Sequence, residues 1–203
     1  MNIELIFRII FWVLLFFVIV LNRIIPAIRA KQTEQKILPH QREVQHEGKT
    51  VLILRILLFI PFLTFLILYS VYPPFMNIIH FDLPIWIRWS GTLLAFISVV
   101  LWIWSQSILD KYWSPQLQIQ KEHKIITSGP YRKIRHPIYT AMFGWVIGLA
   151  ILTANLGFVL LAVLTIIFLI MRVPKEEKMM IEQFGDEYIH YMKNTGKYFP
   201  RFI

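Results

Sequence analysis

The sequence predicts an all-α membrane protein: a polytopic bundle of about five transmembrane helices, followed by a C-terminal amphipathic helix on the cytoplasmic side. Two observations support this fold class. Of the 203 residues, 57% are hydrophobic and only 16% are charged, whereas soluble domains average about 45–50% and about 25%. In addition, Lys and Arg residues are concentrated in every second connection between the apolar stretches, as the positive-inside rule requires of membrane helices.

Five apolar stretches define the predicted spans, which cover residues 3–25, 51–72, 84–105, 137–153 and 156–171. The first lies where a signal peptide would. However, it is longer than a typical apolar signal region and no small-residue cleavage site follows it, so we interpret it as a retained span. The sequence Asn155-Leu156-Gly157 is typical of a turn, and we therefore expect the last two spans to form a helical hairpin.

The positive charges predict the orientation of these spans. Residues 26–50 contain five Lys and Arg residues, residues 106–136 contain six and the tail from Arg172 contains six, whereas residues 73–83 contain none. This pattern predicts an N-terminus outside and a C-terminus in the cytoplasm. Because no targeting signal is visible in the sequence, we expect the plasma membrane of a prokaryote as the location. Anionic membrane lipids account for the net charge of +9, so nucleic acid is not an expected partner.

Several classes of site are excluded by composition. The chain has no cysteine, which excludes disulfides, thiolate metal sites and a cysteine nucleophile. The eight glycines form neither a G-x-G-x-x-G motif nor a phosphate-binding loop, so a Rossmann-type cofactor site is excluded. His40 and His46 match no metal-binding spacing, and we expect no metal. Gly144 and Gly148 fit the small-xxx-small pattern of closely packed membrane helices.

The first segment that contains candidate functional residues is GPYRKIRHPIY at residues 129–139, which precedes the fourth span. Pro137 suits the first position of a helix. It would place Arg135 and His136 beside unpaired backbone N–H groups, where an anion such as a carboxylate or phosphate is favoured. The alternative is that the basic residues only anchor the loop to lipid headgroups and that Tyr131 and Tyr139 are interfacial aromatic residues.

The second such segment follows the fifth span. Arg172 and Glu176 are four residues apart and can pair if the helix continues through Pro174. Glu176 and Glu177 point about 100° apart on a helix, so at most one of them shares the face of Arg172. Alternatively, both glutamates are solvated in the first turn of a new helix. An amphipathic helix is predicted by the three- and four-residue spacing of Met180, Ile181, Phe184, Tyr188 and Tyr191.

These two segments, together with Phe184-Gly185-x-x-Tyr188-x-x-Tyr191 and Pro200, resemble the isoprenylcysteine carboxyl methyltransferase family. This group of membrane methyltransferases also includes phospholipid and thiol methyltransferases. The resemblance extends from about Leu109 to the C-terminus. We therefore divide the chain into an N-terminal three-span region, residues 1–105, and a methyltransferase core, residues 106–203.

The resemblance implies S-adenosylmethionine as the methyl donor and S-adenosylhomocysteine as the product. It implies a lipophilic or lipidated acceptor that enters from the bilayer, with a prenylcysteine-type carboxylate as the preferred candidate. The implied catalytic residues are Arg172, which would orient an acceptor carboxylate, and Glu176, which would serve as a base for an amine. The implied cofactor-binding residues are Tyr131, Arg135, His136, Pro137, Tyr139, Glu176, Glu177, Tyr188 and Tyr191.

Alternative functions remain open from the sequence alone. The first alternative is a membrane methyltransferase whose acceptor is a phospholipid amine or a small thiol. A second class is a sterol-reductase-like oxidoreductase that uses NADPH. A third is a non-enzymatic membrane scaffold or small transporter, against which counts the scarcity of ionisable residues in the middle of the predicted spans.

Overall fold

The computed structural model describes residues 3–20, 49–71, 74–109 and 125–201. Short 3₁₀ turns cover Pro74–Ile79 and Gly129–Arg132. His40 and His46, which we expect not to bind a metal, lie outside the described residues. The α-helices of the described part are α1 (Ile3–Ile19), α2 (Lys49–Val71), α3 (Ile85–Leu109), α4 (Pro137–Thr153), α5 (Leu156–Phe184) and α6 (Asp186–Asn194).

The all-helical class is confirmed for the part of the chain that the structure describes. Within it, α3 and α5 are long and apolar enough to cross a membrane, whereas α4 and the apolar part of α2, Phe59–Val71, are shorter. Large apolar side chains are exposed along α1, α2, α3 and α5, which is the pattern of helices that face lipid rather than water. The count of five spans stays a prediction.

Helices α3 and α4 pack with their backbones in close approach. A Cβ atom built on Gly148 would lie only 2.6 Å from the carbonyl oxygen of Gly91 and 2.7 Å from the amide nitrogen of Ala95. A Cβ atom on Gly144 would overlap the hydroxyl of Ser98. The predicted small-xxx-small packing is therefore confirmed, and α3 is its partner.

Aromatic side chains join α1 to the rest of the bundle. The ring of Phe11 meets the ring of Tyr69 in α2 at a centroid distance of 4.8 Å and the ring of Phe158 in α5 at 5.1 Å. Both contacts are edge-to-face, an arrangement that adds about 0.5–1.5 kcal/mol beyond the burial of area. They fix α1, α2 and α5 side by side.

The predicted helical hairpin between α4 and α5 is confirmed. Ala154 has a φ of 49° in its turn, and the buried side chain of Asn155 accepts a hydrogen bond from the amide of Gly157 at 2.9 Å, which caps α5. The buried Arg88 of α3 donates from Nε to the carbonyl of Leu152 at 2.9 Å and forms a two-pronged ion pair with Glu4 of α1. We call this end of the bundle the turn end and the opposite end the site end.

The C-terminal helices differ from the prediction. The fifth span was expected to end near residue 171 and a separate amphipathic helix to follow, but α5 continues without a break through Pro174 to Phe184. The amphipathic segment is instead divided at Gly185, whose φ of 54° only glycine adopts without strain. Tyr188 and Tyr191 therefore lie on α6, which begins at Asp186.

The approach of α3 and α4 predicts the effect of enlarging Gly148. We expect Gly148→Val to lower the melting temperature in detergent by about 5 °C or more, because overpacking of a tight contact costs about 1–3 kcal/mol. The control is Ile147→Val on the same helix, whose side chain is 39% exposed and which should change the melting temperature little. Equal shifts for both variants would contradict the close packing.

Candidate active site

The site end is organised around the first turn of α4. Pro137 is the first residue of this helix and His136 is its N-cap, but the His136 side chain makes no capping hydrogen bond. The first backbone N–H groups of the helix are therefore not capped by that side chain. A helix N-terminus of this kind favours an acceptor or an anion.

The C-terminal strap, residues 195–198, lies across this first turn. The amides of Arg135 and His136 donate to the carbonyls of Gly196 and Lys197 at 2.9 and 3.1 Å, and the amide of Gly196 donates to the carbonyl of Lys133 at 3.0 Å. These bonds form an isolated parallel bridge between Ile134 and Gly196. The strap thereby fixes the position of the residues that precede α4.

Glu177 is the charged centre of the site. It is only 6% exposed. Its Oε1 atom accepts from Arg135 Nε at 3.0 Å and contacts His136 Nε2 at 3.3 Å, while its Oε2 atom accepts from Lys197 Nζ at 2.9 Å. Burial by itself raises the pKa of the Glu177 carboxyl, but hydrogen bonds from His136, Lys197 and Arg135 together outweigh burial and lower this pKa to about 2. Glu177 is therefore an anion at neutral pH.

Glu176 points about 100° away from Glu177 on α5 and, among the described residues, shares only His136 with it as a partner. It accepts a hydrogen bond from Arg172 Nε at 2.9 Å and a short one from the hydroxyl of Tyr139. His136 Nδ1 lies 3.7 Å from Glu176 Oε2, and its ring stacks on Tyr139 at a centroid distance of 5.6 Å. The predicted Arg172–Glu176 pair is thus present, and the 100° offset directs Glu177 away from it.

Arg135 joins the end of α6 to α4. Beyond Glu177, its Nη1 atom donates to the carbonyl of Met192 at 2.9 Å and, through a shorter bond, to that of Thr195. A cation that meets the carbonyls at the end of a helix is favoured by the helix dipole. Its Nη2 atom makes no hydrogen bond within residues 125–201 or the other described ranges.

Three tyrosines complete the site. The hydroxyl of Tyr191 donates to the carbonyl of Tyr131 at 2.6 Å, and the ring of Tyr188 lies 5.8 Å from that of Tyr191. Burial raises the pKa of Tyr131 and of Tyr188 above the usual value and raises the pKa of Tyr191 to about 12. All three are therefore neutral hydroxyls at physiological pH. The Tyr131 hydroxyl is buried without a hydrogen-bond partner in the described part of the chain.

All ten predicted site residues lie at this end of the bundle. Sequence reasoning missed the strap: Lys197 as a partner of Glu177, and Thr140, which donates to the carbonyl of Tyr198 at 2.5 Å. The sequence signal for the strap was weak: Lys197 is a basic residue close to the C-terminus, twenty residues after Glu177. Neither helical nor strand periodicity marks residues 195–198.

The lowered pKa of Glu177 predicts a pH-dependent contribution to stability. The folded-state pKa is about 2 against an ordinary 4.5, so this contribution is complete above pH 4.5 and is lost as the pH falls toward 2. Compared with wild type, Glu177→Gln should lower the melting temperature by about 5 °C at pH 7.

The difference between wild type and Glu177→Gln should then shrink between pH 4.5 and 3. The control is Glu182→Gln, because the Glu182 side chain is 64% exposed and lies 3.8 Å from Lys178; it should change stability little at any pH. A Glu177→Gln difference that is constant from pH 7 to pH 3 would show that the carboxylate is not held by these bonds.

Comparison with known proteins finds one family model that matches the central part of the chain. Residues 91–182 match the model of the isoprenylcysteine carboxyl methyltransferase (ICMT) family. A protein-S-isoprenylcysteine O-methyltransferase of Schizosaccharomyces pombe is 35% identical over 81 residues, which are 39% of this chain and 34% of the relative. Protein-S-isoprenylcysteine O-methyltransferase B of Arabidopsis thaliana is 28% identical over 86 residues, 42% of this chain and 44% of the relative.

A bacterial relative and a solved structure extend the match. The cobalt-zinc-cadmium resistance protein CzcN of Cupriavidus metallidurans is 29% identical over 119 residues, 56% of this chain and 54% of the relative. The structure of the eukaryotic intramembrane Ras methyltransferase ICMT superposes with a TM-score of 0.53 at 23% identity, covering 83% of this chain and 56% of that one. It shows that the fold is shared. The chain thus spans between about a third and somewhat over half of the proteins that it matches.

Proposed function

We propose that the chain is an integral membrane methyltransferase of the isoprenylcysteine carboxyl methyltransferase family, because residues 91–182 match the model of that family. The proposed reaction moves a methyl group from S-adenosylmethionine to a lipophilic acceptor, of which a prenylcysteine-type carboxylate is the preferred candidate. The names of the yeast and plant relatives support this acceptor class. A phospholipid amine or a small thiol is the alternative acceptor.

The observation that carries the proposal is the convergence of two charged segments. Arg135 and His136 at the start of α4 contact Glu177, and His136 also lies beside Glu176. These residues are far apart in sequence, and they are brought together within a largely apolar bundle. Buried charged clusters of this kind are expensive to form and are found preferentially at functional sites.

The residues present fit the methyl donor. Its carboxylate and ribose hydroxyls need hydrogen-bond donors and acceptors, and the buried Tyr131 hydroxyl has no partner among the described residues. An unmet buried hydroxyl costs about 1–3 kcal/mol, which a bound ligand would remove. Tyr131, the Nη2 atom of Arg135 and the first turn of α4 would hold the donor's carboxylate and hydroxyls. The rings of Tyr188 and Tyr191 would face its adenine or its cationic sulfur.

The donor supplies an electrophilic methyl group, so the chain's own residues mainly have to position the acceptor. We assign the acceptor carboxylate to the guanidinium of Arg172, a planar group that can hold a carboxylate at two points. Glu176 fixes Arg172 and Tyr139 in place through its hydrogen bonds. Arg172 is 8% exposed, and exclusion of water at this position favours transfer to the acceptor over hydrolysis.

The proposed topology places this site at the cytoplasmic face. In it, α1 to α5 form five spans, the N-terminus lies outside and α6 and the strap lie in the cytoplasm of a prokaryotic cell. The distribution of Lys and Arg supports this orientation. The chemistry is assigned to residues 106–203. A water-soluble donor would arrive from the cytoplasm and a lipophilic acceptor from the bilayer.

The function is tested by incubating the purified protein in detergent with radiolabelled S-adenosylmethionine and three acceptors: a farnesylcysteine analogue, phosphatidylethanolamine and a small alkyl thiol. We expect label in the farnesylcysteine analogue as a base-labile methyl ester. Label in the phospholipid or the thiol would show that the proposed acceptor is wrong and that the proposed methyl transfer is right. The reaction itself would be refuted by absence of label in all three, together with a melting temperature raised by NADPH and not by S-adenosylhomocysteine.

Replacement of Arg172 separates its proposed role from donor binding. Arg172→Lys keeps the charge but loses the planar, two-point donor. We therefore expect it to lower the methylation rate at least about 100-fold, since charge-assisted two-point bonds are worth about 3 kcal/mol. Its affinity for S-adenosylhomocysteine, measured by isothermal titration calorimetry, should change less than about threefold.

The matched control is Arg132→Lys, because Arg132 is exposed and should leave both quantities unchanged. If Arg172→Lys weakened the affinity for S-adenosylhomocysteine as much as it lowered the rate, Arg172 would belong to the donor site or to the fold instead of the acceptor site.

A further inference from the structure

The three partners of Glu177 differ in how firmly they are held. The side chains of Arg135 and His136 are only 8% and 11% exposed, whereas the side chain of Lys197 is 39% exposed. Arg135 also donates to two carbonyls near the end of α6. Of these three partners, Lys197 is therefore the one with an open route to solvent.

The side chain of Lys197 can leave Glu177 without a movement of the strap. The backbone of the strap is fixed by its own hydrogen bonds, among them those from the amides of Arg135 and His136 to the carbonyls of Gly196 and Lys197. The Nζ atom takes no part in these bonds and lies at the end of a flexible aliphatic stem. Rotation of that stem alone would move the ammonium from its position 2.9 Å from Glu177 Oε2 into water.

Glu177 cannot lose this cation without a replacement. Its side chain is buried, and a buried carboxylate that is deprived of one of its partners is strongly destabilised. A ligand that displaces the Lys197 ammonium therefore has to bring a hydrogen-bonding cation of its own to Oε2. This requirement favours ligands that carry an ammonium group over similar ligands that lack it.

An amino-acid group fits the ion pair between Arg135 and Glu177. Arg135 binds Oε1 through Nε at 3.0 Å, and its Nη2 atom makes no hydrogen bond within the described ranges. Nη2 can therefore take a carboxylate while Oε2 takes an ammonium, and S-adenosylmethionine carries these two charged groups on one carbon atom. Glu176 offers no such exchange, because Arg172, the arginine bound to it, is buried on α5.

We propose that Lys197 is a displaceable latch, whose ammonium occupies on Glu177 the position that the donor's ammonium takes when the donor binds. The inference rests on the proposed function, because it takes S-adenosylmethionine as the donor. The latch keeps Glu177 paired between one turnover and the next. It weakens the binding of donor and product alike, since each has to displace Lys197, and it thereby favours release of the product.

The test measures how much the ligand's ammonium contributes to affinity with and without the latch. Isothermal titration calorimetry in detergent gives the Kd of S-adenosylhomocysteine and of its deamino analogue, in which hydrogen replaces the amino group. In wild type one ammonium replaces another, so the two ligands should bind within about threefold of each other. In Lys197→Met the ligand's ammonium has no competitor, and S-adenosylhomocysteine should bind at least about tenfold more tightly than the analogue.

The control variant is Lys193→Met, which removes an exposed lysine of α6 and should keep the wild-type ratio of the two Kd values. The latch is overturned if this ratio is the same in wild type and in Lys197→Met. Equal weakening of both ligands in Lys197→Met also overturns it, because Lys197 would then be a structural clamp.

A second measurement uses the wild-type protein and keeps the proposal testable if Lys197→Met does not fold. Reductive methylation with formaldehyde is followed at each lysine by peptide mass spectrometry. S-adenosylhomocysteine should raise the rate at Lys197, because Nζ then lies in water, and should leave the rate at Lys193 unchanged. The deamino analogue should change neither rate. An unchanged or lowered rate at Lys197 with bound S-adenosylhomocysteine would overturn the latch.

Failure of the proposed function gives a different result. If neither ligand bound to wild type, the proposed donor would be wrong and the latch would fall with it. If both ligands bound and the ammonium contributed equally in wild type and in Lys197→Met, only the latch would be refuted.

Discussion

The buried carboxylate of Glu177 is the interaction on which the site end depends. A carboxylate that is 6% exposed needs its charge and its lone pairs satisfied, because the loss of hydration is otherwise prohibitive. Arg135, His136 and Lys197 satisfy it. They come from the segment before α4 and from the C-terminal strap, whereas Glu177 itself belongs to α5. One ion cluster therefore joins three separate parts of the chain.

The two adjacent glutamates, Glu176 and Glu177, bind different partners and so divide the site into two halves. Glu177 is turned toward Arg135 and the strap, and its bonds hold the architecture together. Glu176 is turned toward Tyr139 and toward Arg172, the residue to which we assign the acceptor carboxylate. This division requires a continuous helix, because only regular helical geometry keeps the two side chains about 100° apart. The continuation of α5 through Pro174 is thus a condition for the site.

What the sequence predicted, and what it did not, follows from the range of each interaction. Helix locations, the small-xxx-small pattern of Gly144 and Gly148 and the Arg172–Glu176 pair depend on residues within one or two turns, and all were predictable, whereas the packing partner of Gly148, α3, was not. The Arg88–Glu4 pair joins residues 84 positions apart, and no periodicity links them. The strap at Lys197 was missed for the same reason.

The length of α5 separates the two charged ends of the bundle. Leu156 begins this 29-residue helix at the turn end. At 1.5 Å per residue, Arg172 lies about 24 Å along it and Glu177 about 32 Å along it, compared with a hydrocarbon core of about 30 Å. If α5 begins at one boundary of the bilayer, Arg172 lies just inside the other and Glu177 just outside it. The lipophilic acceptor and the water-soluble donor that we propose would then meet between these two residues.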